Sequence, residues 1–173
     1  MSTRTHRPPE ARCEINTFKE GLLSRVAHDL AIAVERFEVT IGPEGELEAS
    51  FAADSLKTLH ALKKGAPAPK ALSAKDLRTI DASIRDEVLG SGRMPTITYR
   101  GRVEEAGETA RIDGTLSLHG VERRLRLEAR RAGDRWEAEV ELNQPDYGIR
   151  PFTALMGSLK IKPEVRIKIS LPA

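Results

Sequence analysis

Apolar and polar residues alternate along two neighbouring stretches of the chain, and the phase of the alternation changes once between them. From Ala110 to Leu118 the apolar residues stand at even positions, whereas from Val121 to Arg131 they stand at odd positions. Alternation with period two places each apolar set on one face of a β-strand. The glycine at the change of phase predicts a hairpin with His119-Gly120 as its turn. Because a lone hairpin is only marginally stable, more sheet or a helix has to cover its apolar face.

Several other segments alternate in the same way and predict further antiparallel strands. One long apolar segment changes phase at Glu35-Arg36, which predicts a bulge or bend, since a one-residue slip would otherwise turn its apolar side chains outward. In total we predict about eight strands, joined mostly by hairpins, without the alternation of strand and helix that a parallel sheet needs. Eight antiparallel strands with bends close naturally into a barrel. A β-sandwich is the alternative architecture.

A single segment has helical periodicity. Ser73 is a candidate N-cap, Asp76 follows three residues later, and Gly90 and Gly92 end the pattern. Four apolar residues between these signals share one side of a helix. They are Leu77, Ile80, Ile84 and Val88. The sequence therefore predicts one helix over about residues 73–89, lying on an apolar surface.

The remaining segments lack a clear period. Lysines and prolines in residues 54–72 predict an exposed loop, with a short helix near 55–62. Residues 143–162 predict an irregular segment that contains apolar side chains. Residues 1–11, with two adjacent prolines, predict a flexible N-terminal tail. The length suits one domain over residues 12–173, large enough for a substantial core.

Composition and charge narrow the class of protein. The 28 Lys and Arg nearly balance 26 Asp and Glu, which gives a net charge of +2 and does not favour a nucleic-acid partner. The single cysteine, Cys13, rules out an internal disulfide framework. No window reaches the roughly 20 apolar residues of a transmembrane helix, and no apolar run follows the basic N-terminus. We therefore expect a cytoplasmic protein, or a periplasmic one if a secretory signal has been removed.

Three motifs, in this order, carry a resemblance to a known family. They are H-D-L…F-E-V-T-I-G, I-R-D-E-V-L-G-S-G-R-M-P-T-I-T-Y and I-D-G-T-L-S-L-H-G-V-E-R. Over roughly residues 12–172 the chain resembles the YceI family, whose members are described as lipocalin-like barrels that bind polyisoprenoids or similar long apolar molecules. The resemblance implies an all-β fold: an eight-stranded antiparallel barrel with one inserted helix, irregular rim segments and an apolar tunnel that the helix partly closes.

This picture predicts a set of ligand-binding residues. Alternate positions of the strands supply an apolar lining, and His28 and the segment around Tyr147 supply a polar end. Apolar side chains on the irregular segment are candidates for a gate at the barrel rim. The predicted set is His28, Leu30, Ile32, Phe51, Ile97, Tyr99, Leu116, Leu118, Trp136, Val140, Tyr147, Phe152 and Met156.

Structural roles compete with these assignments. His28 is explained at least as well as a histidine that hydrogen-bonds backbone or a carboxylate, and His119 as a turn residue. Tyr99 and Trp136 are explained as ordinary core residues, and the apolar side chains of residues 143–162 as packing against the rim. The arginines of residues 123–135 are interleaved with acids and lack aromatic stacking partners, which favours a solvated outer face over an acidic partner or headgroup surface.

Signatures of catalysis and of metal binding are missing. The sequence has no G-x-S-x-G elbow, phosphate-binding loop, dinucleotide fingerprint or His/Cys metal spacing. A metal site from His28, Asp29 and His119 has no support from spacing. We therefore expect no cofactor, no metal and no catalytic residue.

The sequence favours a binding module that shelters a long apolar small molecule, isoprenoid or lipid-like, without changing it. The first alternative is a barrel with a filled interior that acts through protein contacts, as a stress-associated protein. The second is an enzyme that acts on an apolar substrate. The sequence leaves open whether a homodimer forms.

Overall fold

The computed structural model describes residues 2–21 and 27–173, and in this part of the chain antiparallel β-structure predominates. Twelve strands form one curled sheet in the order β1-β4-β5-β8-β9-β10-β11-β13-β2-β3-β6-β7, and β12 pairs with β13. The strands are β1 Arg4–His6, β2 Arg12–Lys19, β3 Asp29–Val34, β4 Phe37–Ile41, β5 Glu46–Ala52, β6 Leu56–Lys63, β7 Ala66–Ala68, β8 Thr96–Ala106, β9 Thr109–Leu118, β10 Val121–Ala132, β11 Arg135–Asn143, β12 Thr153–Ala154 and β13 Leu159–Pro172. One continuous sheet replaces the two stacked sheets of the sandwich alternative.

The predicted hairpin is confirmed as β9 and β10. Val121 pairs with Leu118, and the register continues without interruption to Arg130 and Thr109. Both turn residues have positive φ angles, 54° at His119 and 77° at Gly120. Positive φ at both central residues is the geometry whose twist matches that of the flanking strands. The change of phase in the sequence is therefore a two-residue turn.

The predicted bend at Glu35-Arg36 is also present. β3 ends at Val34 and β4 begins at Phe37, so the chain changes neighbours there after only two residues. β3 pairs with β6, whereas β4 pairs with β5. A 3₁₀ turn at Ala53–Ser55 makes the same step between β5 and β6. The two bends face each other, because the Glu35 amide donates to the Ser55 carbonyl over 3.0 Å.

The predicted helix is confirmed and lies over the sheet. α1 spans Ala74–Ser83 and continues as a π-helical turn at Ile84–Val88. Ser73 and Asp76 cap its start reciprocally, since each side chain accepts a hydrogen bond from the other residue's amide. A hydrogen bond connects α1 to β6: the Thr58 amide donates to the Asp81 carboxylate over 2.8 Å. The bulge in β6 next to Thr58 disrupts the regular strand pairing there, so the Thr58 amide can donate to the helix.

Part of the predicted N-terminal tail is a strand. β1, Arg4–His6, pairs with β4 and is not a free tail. Ion pairs of Arg4 with Glu105 and of Arg7 with Glu38 hold this segment on the sheet.

The loop predicted over residues 54–72, with its short helix, is wrong for most of its length, because this part of the chain contains β6 and β7. The bulge at Leu59 interrupts the alternation in β6. The period-two pattern that identifies the other strands is therefore lost there.

Candidate ligand cavity

The curled sheet and α1 surround a cavity of about 760 Å³. Inward-facing residues of β2 to β6, β8 to β11 and β13 form its wall, and α1 covers one side of it. No large side chain of the described residues is less than 2% exposed, as expected when inner side chains face a void. The volume falls within the range of small-molecule pockets.

The β9–β10 hairpin presents to the cavity the face that the alternation predicts. Ile112, Leu116 and Leu118 line the cavity from β9, and Leu125, Leu127 and Ala129 line it from β10. Even positions of the first strand and odd positions of the second therefore point inward. The opposite face carries the arginines, of which Arg124 and Arg126 both donate to Asp113.

Tyr99 closes the wall at the centre of this hairpin. Its hydroxyl donates to the Leu125 carbonyl over 2.9 Å, and its ring lies against Gly114, where an added Cβ would stand 2.7 Å from ring and hydroxyl atoms. A glycine at position 114 is thus what allows the ring to cross β9. Burial raises the pKa of Tyr99 to about 12, so the hydroxyl keeps the proton that it donates.

α1 and its π-helical turn contribute to the cavity three of the four residues of the predicted apolar stripe. Ile80, Ile84 and Val88 line it, as do the smaller polar residues Thr79 and Ser83. No residue of α1 or of its π-helical turn is fully buried. A helix that packed on a filled core would bury this stripe, so its partial exposure is consistent with a helix placed over a void.

The structure brings twelve of the thirteen predicted ligand-binding residues together around the cavity. Ten come from the strands or from residue 28 just before β3, and two come from the segment between β11 and β13. They are His28, Leu30, Ile32, Phe51, Ile97, Tyr99, Leu116, Leu118, Trp136, Val140, Tyr147 and Phe152.

Met156 is the exception. Its side chain is fully exposed, and it is not part of the wall. Its backbone is left-handed, with φ 57° and ψ 33°, and so is that of Leu155, with φ 52°. These angles turn the Met156 side chain away from the cavity wall, and its role as part of a gate at the rim stays a prediction.

Several lining residues were not predicted. Cys13 and Thr17 line the cavity from β2, Asp76 lines it from α1, and Gln144 from the 3₁₀ turn after β11. Cys13 and Thr17 share the inward phase of β2, so the alternation of that strand could have identified them. Burial raises the pKa of the Cys13 thiol to about 12, which leaves it as a neutral, weakly polar wall residue.

Thr17 is an unsatisfied polar group in this apolar wall. Its hydroxyl oxygen is buried and has no hydrogen-bond partner. A buried hydroxyl without a partner is unfavourable by about 1–3 kcal/mol. Its neighbours in the pairing of β2, Leu30 and Val165, are both apolar lining residues. Because this oxygen has almost no accessible surface, a polar group inside the cavity reaches it only after the Thr17 side chain rotates.

Charged groups are confined to one end of the cavity. No Lys or Arg lies among the described residues that form the wall, and Asp76 is its one carboxylate. Hydrogen bonds from Ser73 lower the pKa of Asp76, and the nearby His28 imidazole acts in the same direction. His28 and Asp76 therefore mark the mouth of the cavity, next to the first turn of α1.

The second histidine in the sequence-based metal hypothesis has a structural role. His119 is a turn residue whose Nδ1 lies 3.2 Å from the Tyr147 carbonyl oxygen, which ties the hairpin turn to the 3₁₀ turn at Gln144–Tyr147. Within residues 2–21 and 27–173, no three His, Cys, Asp or Glu side chains lie together as metal ligands. In the same residues, no helix has the length and apolar character needed to cross a membrane.

Solved structures with this architecture exist in several bacteria. A polyisoprenoid binding domain from Saccharophagus degradans, implicated in plant cell wall breakdown, has 15% sequence identity and a TM-score of 0.65, and the match covers 96% of this chain and 95% of that one. BcnA from Burkholderia cenocepacia has 12% identity and a TM-score of 0.64 over 94% and 96% of the two chains. The YceI protein of Campylobacter jejuni has 14% identity and a TM-score of 0.56 over 82% of each chain. At these identities the likeness concerns the fold.

Sequence comparison identifies the family. No curated protein matches the chain. The profile of the YceI-like domain, however, matches residues 18–173, which include the inner wall from the end of β2 onward, α1 and the segment between β11 and β13. The chain therefore belongs to the YceI-like domain family.

Proposed function

We propose that this protein binds, stores or transports a long, neutral, apolar small molecule in its cavity without changing it chemically. The observation that carries the proposal is the apolar-walled cavity of about 760 Å³. Transfer of apolar surface from water into such a site contributes roughly 25 cal/mol per Å². A chain-like isoprenoid or lipid-like molecule fits a cavity that extends between the strands of a curled sheet.

The pairing of the strands supports a closed, lipocalin-like barrel as the container. If β3 and β4 are the halves of one bent strand, and β5 and β6 the halves of its neighbour, the pairs connect eight long strands into a ring. The ring runs from β2 through these two strands to β8, β9, β10, β11 and β13, which pairs again with β2. Barrels of eight strands hold one small ligand.

The wall also favours a neutral ligand over a charged one. A carboxylate or phosphate head placed deep in the cavity would lose its hydration without meeting a cation, which is strongly unfavourable. The unpartnered Thr17 hydroxyl instead suits one neutral polar group, such as an alcohol or a carbonyl. A filled barrel that acts only through protein contacts would not need an apolar wall around empty space.

The single tryptophan provides the test, because Trp136 lines the cavity. Titration with geranylgeraniol should shift its fluorescence to shorter wavelength and saturate at one ligand per chain. Ala49→Phe places a ring in the cavity from β5 and should abolish the shift. The matched control is Ala106→Phe, on an exposed position of β8, which should leave it unchanged. Equal, unsaturable signals from all three proteins would refute the proposal.

A second arm of the titration tests the polar anchor. Thr17→Val keeps the shape of the side chain and removes the hydroxyl. We expect about fivefold weaker binding of geranylgeraniol, the loss of one hydrogen bond, and no change for the corresponding hydrocarbon without its hydroxyl. Equal weakening of both ligands would show that Thr17 acts only through packing.

A further inference from the structure

The mouth of the cavity carries an exposed apolar hairpin tip. Thr153 pairs with Lys160, and Ala154 with Leu159, so Leu155 to Ser158 form the turn. Leu155 is 62% exposed and yet lines the cavity, and Met156 is fully exposed. The tip therefore forms a continuous apolar connection between the cavity and the surface.

The backbone holds this tip outward. Leu155, Met156 and Gly157 are consecutive residues with positive φ, of 52°, 57° and 88°. A left-handed conformation is unfavourable for leucine and methionine, and two large apolar side chains in water add a further cost. Such a combination suggests that the tip contacts an apolar partner.

Lysines surround the same end of the molecule. β2 and β6 end there and β3 and β13 begin there, since Lys19 pairs with Ile161 and Asp29 with Leu62. Seven of the nine lysines in the chain belong to the ends and turns at this mouth, and all seven are exposed. We call them the rim lysines: Lys19, Lys63, Lys64, Lys70, Lys75, Lys160 and Lys162.

The rim lysines lack acidic partners of the kind that several arginines of the outer wall have. Among the described residues none of the seven forms a salt bridge, whereas arginines of the outer wall pair with Glu105, Glu38, Asp54, Asp113 and Glu139. Several acids lie near the rim. Asp29 accepts the Lys19 amide, Asp76 caps α1, and Asp86, close to Lys75, pairs with Arg85. Glu20 and Glu87 also lie near the rim. The rim is thus a basic ring around an apolar tip.

We propose that the mouth docks onto the surface of an anionic lipid bilayer. Leu155 and Met156 enter the boundary between headgroups and acyl chains, and the rim lysines contact the headgroups. Exposed single lysines suit diffuse attraction to many headgroups, whereas a defined acidic protein site favours the bidentate geometry of arginine. Resting on the proposed function, this arrangement allows an apolar ligand to pass between bilayer and cavity without crossing water.

Flotation with lipid vesicles tests the docking directly. At low salt, wild-type protein should bind vesicles of three parts phosphatidylcholine to one part phosphatidylglycerol and release from them as salt rises. Binding to pure phosphatidylcholine should be at least tenfold weaker. The double variant Lys63→Gln, Lys64→Gln should lose about thirtyfold in affinity. The matched control, Lys57→Gln with Lys168→Gln, makes the same change of charge away from the mouth and should bind as wild type.

The apolar tip is tested with Leu155→Ser, Met156→Ser, against Leu59→Ser on the outer side of β6, another exposed leucine. The tip variant should bind anionic vesicles several-fold less tightly, and the Leu59 variant should not differ from wild type. The proposal would be overturned if the wild-type protein failed to float with anionic vesicles, or if the two double lysine variants lost vesicle affinity equally. An acidic protein would then be the remaining partner for the rim.

The Trp136 titration keeps this proposal separate from the proposed function. Ligand added from solvent without vesicles should bind the Lys63→Gln, Lys64→Gln variant, whose substitutions lie outside the cavity wall, as tightly as wild type. Vesicle binding without ligand uptake would refute the proposed function but support the docking. Ligand uptake without vesicle binding would support the proposed function and refute the docking.

Discussion

The hairpin of β9 and β10 and the segment from Gln144 to Leu159 both contribute to the cavity, but they are built in opposite ways. In the hairpin, strand pairing is continuous, the inner face is apolar, and the outer arginines meet Asp113. The other segment consists of two 3₁₀ turns and a two-residue strand, with left-handed residues and exposed apolar side chains. The hairpin pairs its charged side chains within the protein and turns its apolar ones inward. The other segment leaves apolar side chains exposed, where a partner can contact them.

The difference suggests a division of roles between wall and rim. A wall that excludes water from an apolar ligand has to be rigid and closely packed. The addition or removal of one atom in it therefore changes the stability of the protein. A rim through which a ligand enters has to remain adaptable, and it can retain exposed groups if they serve contacts with a surface. Substitutions that add or remove one Cβ should therefore act strongly on the wall and weakly on the rim.

The largest effect is expected for Gly114→Ala in the wall. The added Cβ would stand 2.4 Å from the Arg100 carbonyl oxygen and 2.7 Å from the Tyr99 ring, so either the strand pair or the ring has to move. If Tyr99 moves, its hydrogen bond to Leu125 is lost as well. We expect the free energy of unfolding to fall by about 3 kcal/mol, measured by urea denaturation.

Gly92→Ala is the matched control for this substitution. An added Cβ at Gly92 has no neighbour within 4 Å, and we expect a change within about 0.5 kcal/mol. Equal effects at both glycines would mean that Tyr99 does not depend on position 114.

The second prediction concerns the pH dependence of the wall. Burial raises the pKa of Cys13 from its ordinary 9.0 to about 12. Below pH 9 the thiol is protonated in the folded and unfolded chain, so its contribution is complete. Between pH 9 and 12 the unfolded chain loses the proton and the folded one retains it, so stability should fall by up to about 1.4 kcal/mol per pH unit.

Cys13→Val isolates this contribution. The variant keeps a small apolar side chain in the wall and cannot titrate, whereas Tyr99, whose pKa is also raised to about 12, remains in both proteins. Urea denaturation from pH 8 to 11 should show a steeper loss of stability for wild type. Parallel curves would contradict the assignment of the thiol to a dry wall.

The same contrast explains how much the sequence could predict. In the hairpin, alternation determines which side chains point inward, so most of the lining residues could be predicted. Ser73 and Asp76 mark the start of α1, so the helix could be predicted as well. β1 forms by backbone pairing with β4, which lies far along the chain, and the bulge at Leu59 interrupts the alternation in β6. Thr17 is polar, so a search for apolar lining residues passes over it. The direction of Met156 depends on a backbone angle that no alternation encodes.

The smallest effect is expected at the rim, for Met156→Gly. Removal of Cβ relieves the left-handed strain at φ 57° by about 1 kcal/mol, and the greater freedom of glycine in the unfolded chain offsets about half of that. The free energy of unfolding should therefore rise by about 0.5 kcal/mol, whereas Met156→Ala, which keeps Cβ and loses only an exposed side chain, should leave it unchanged. Thermal denaturation of the three proteins decides this. A loss of stability in both variants would show that Met156 packs against the protein, and the distinction between a packed wall and an available rim would then fail at this residue.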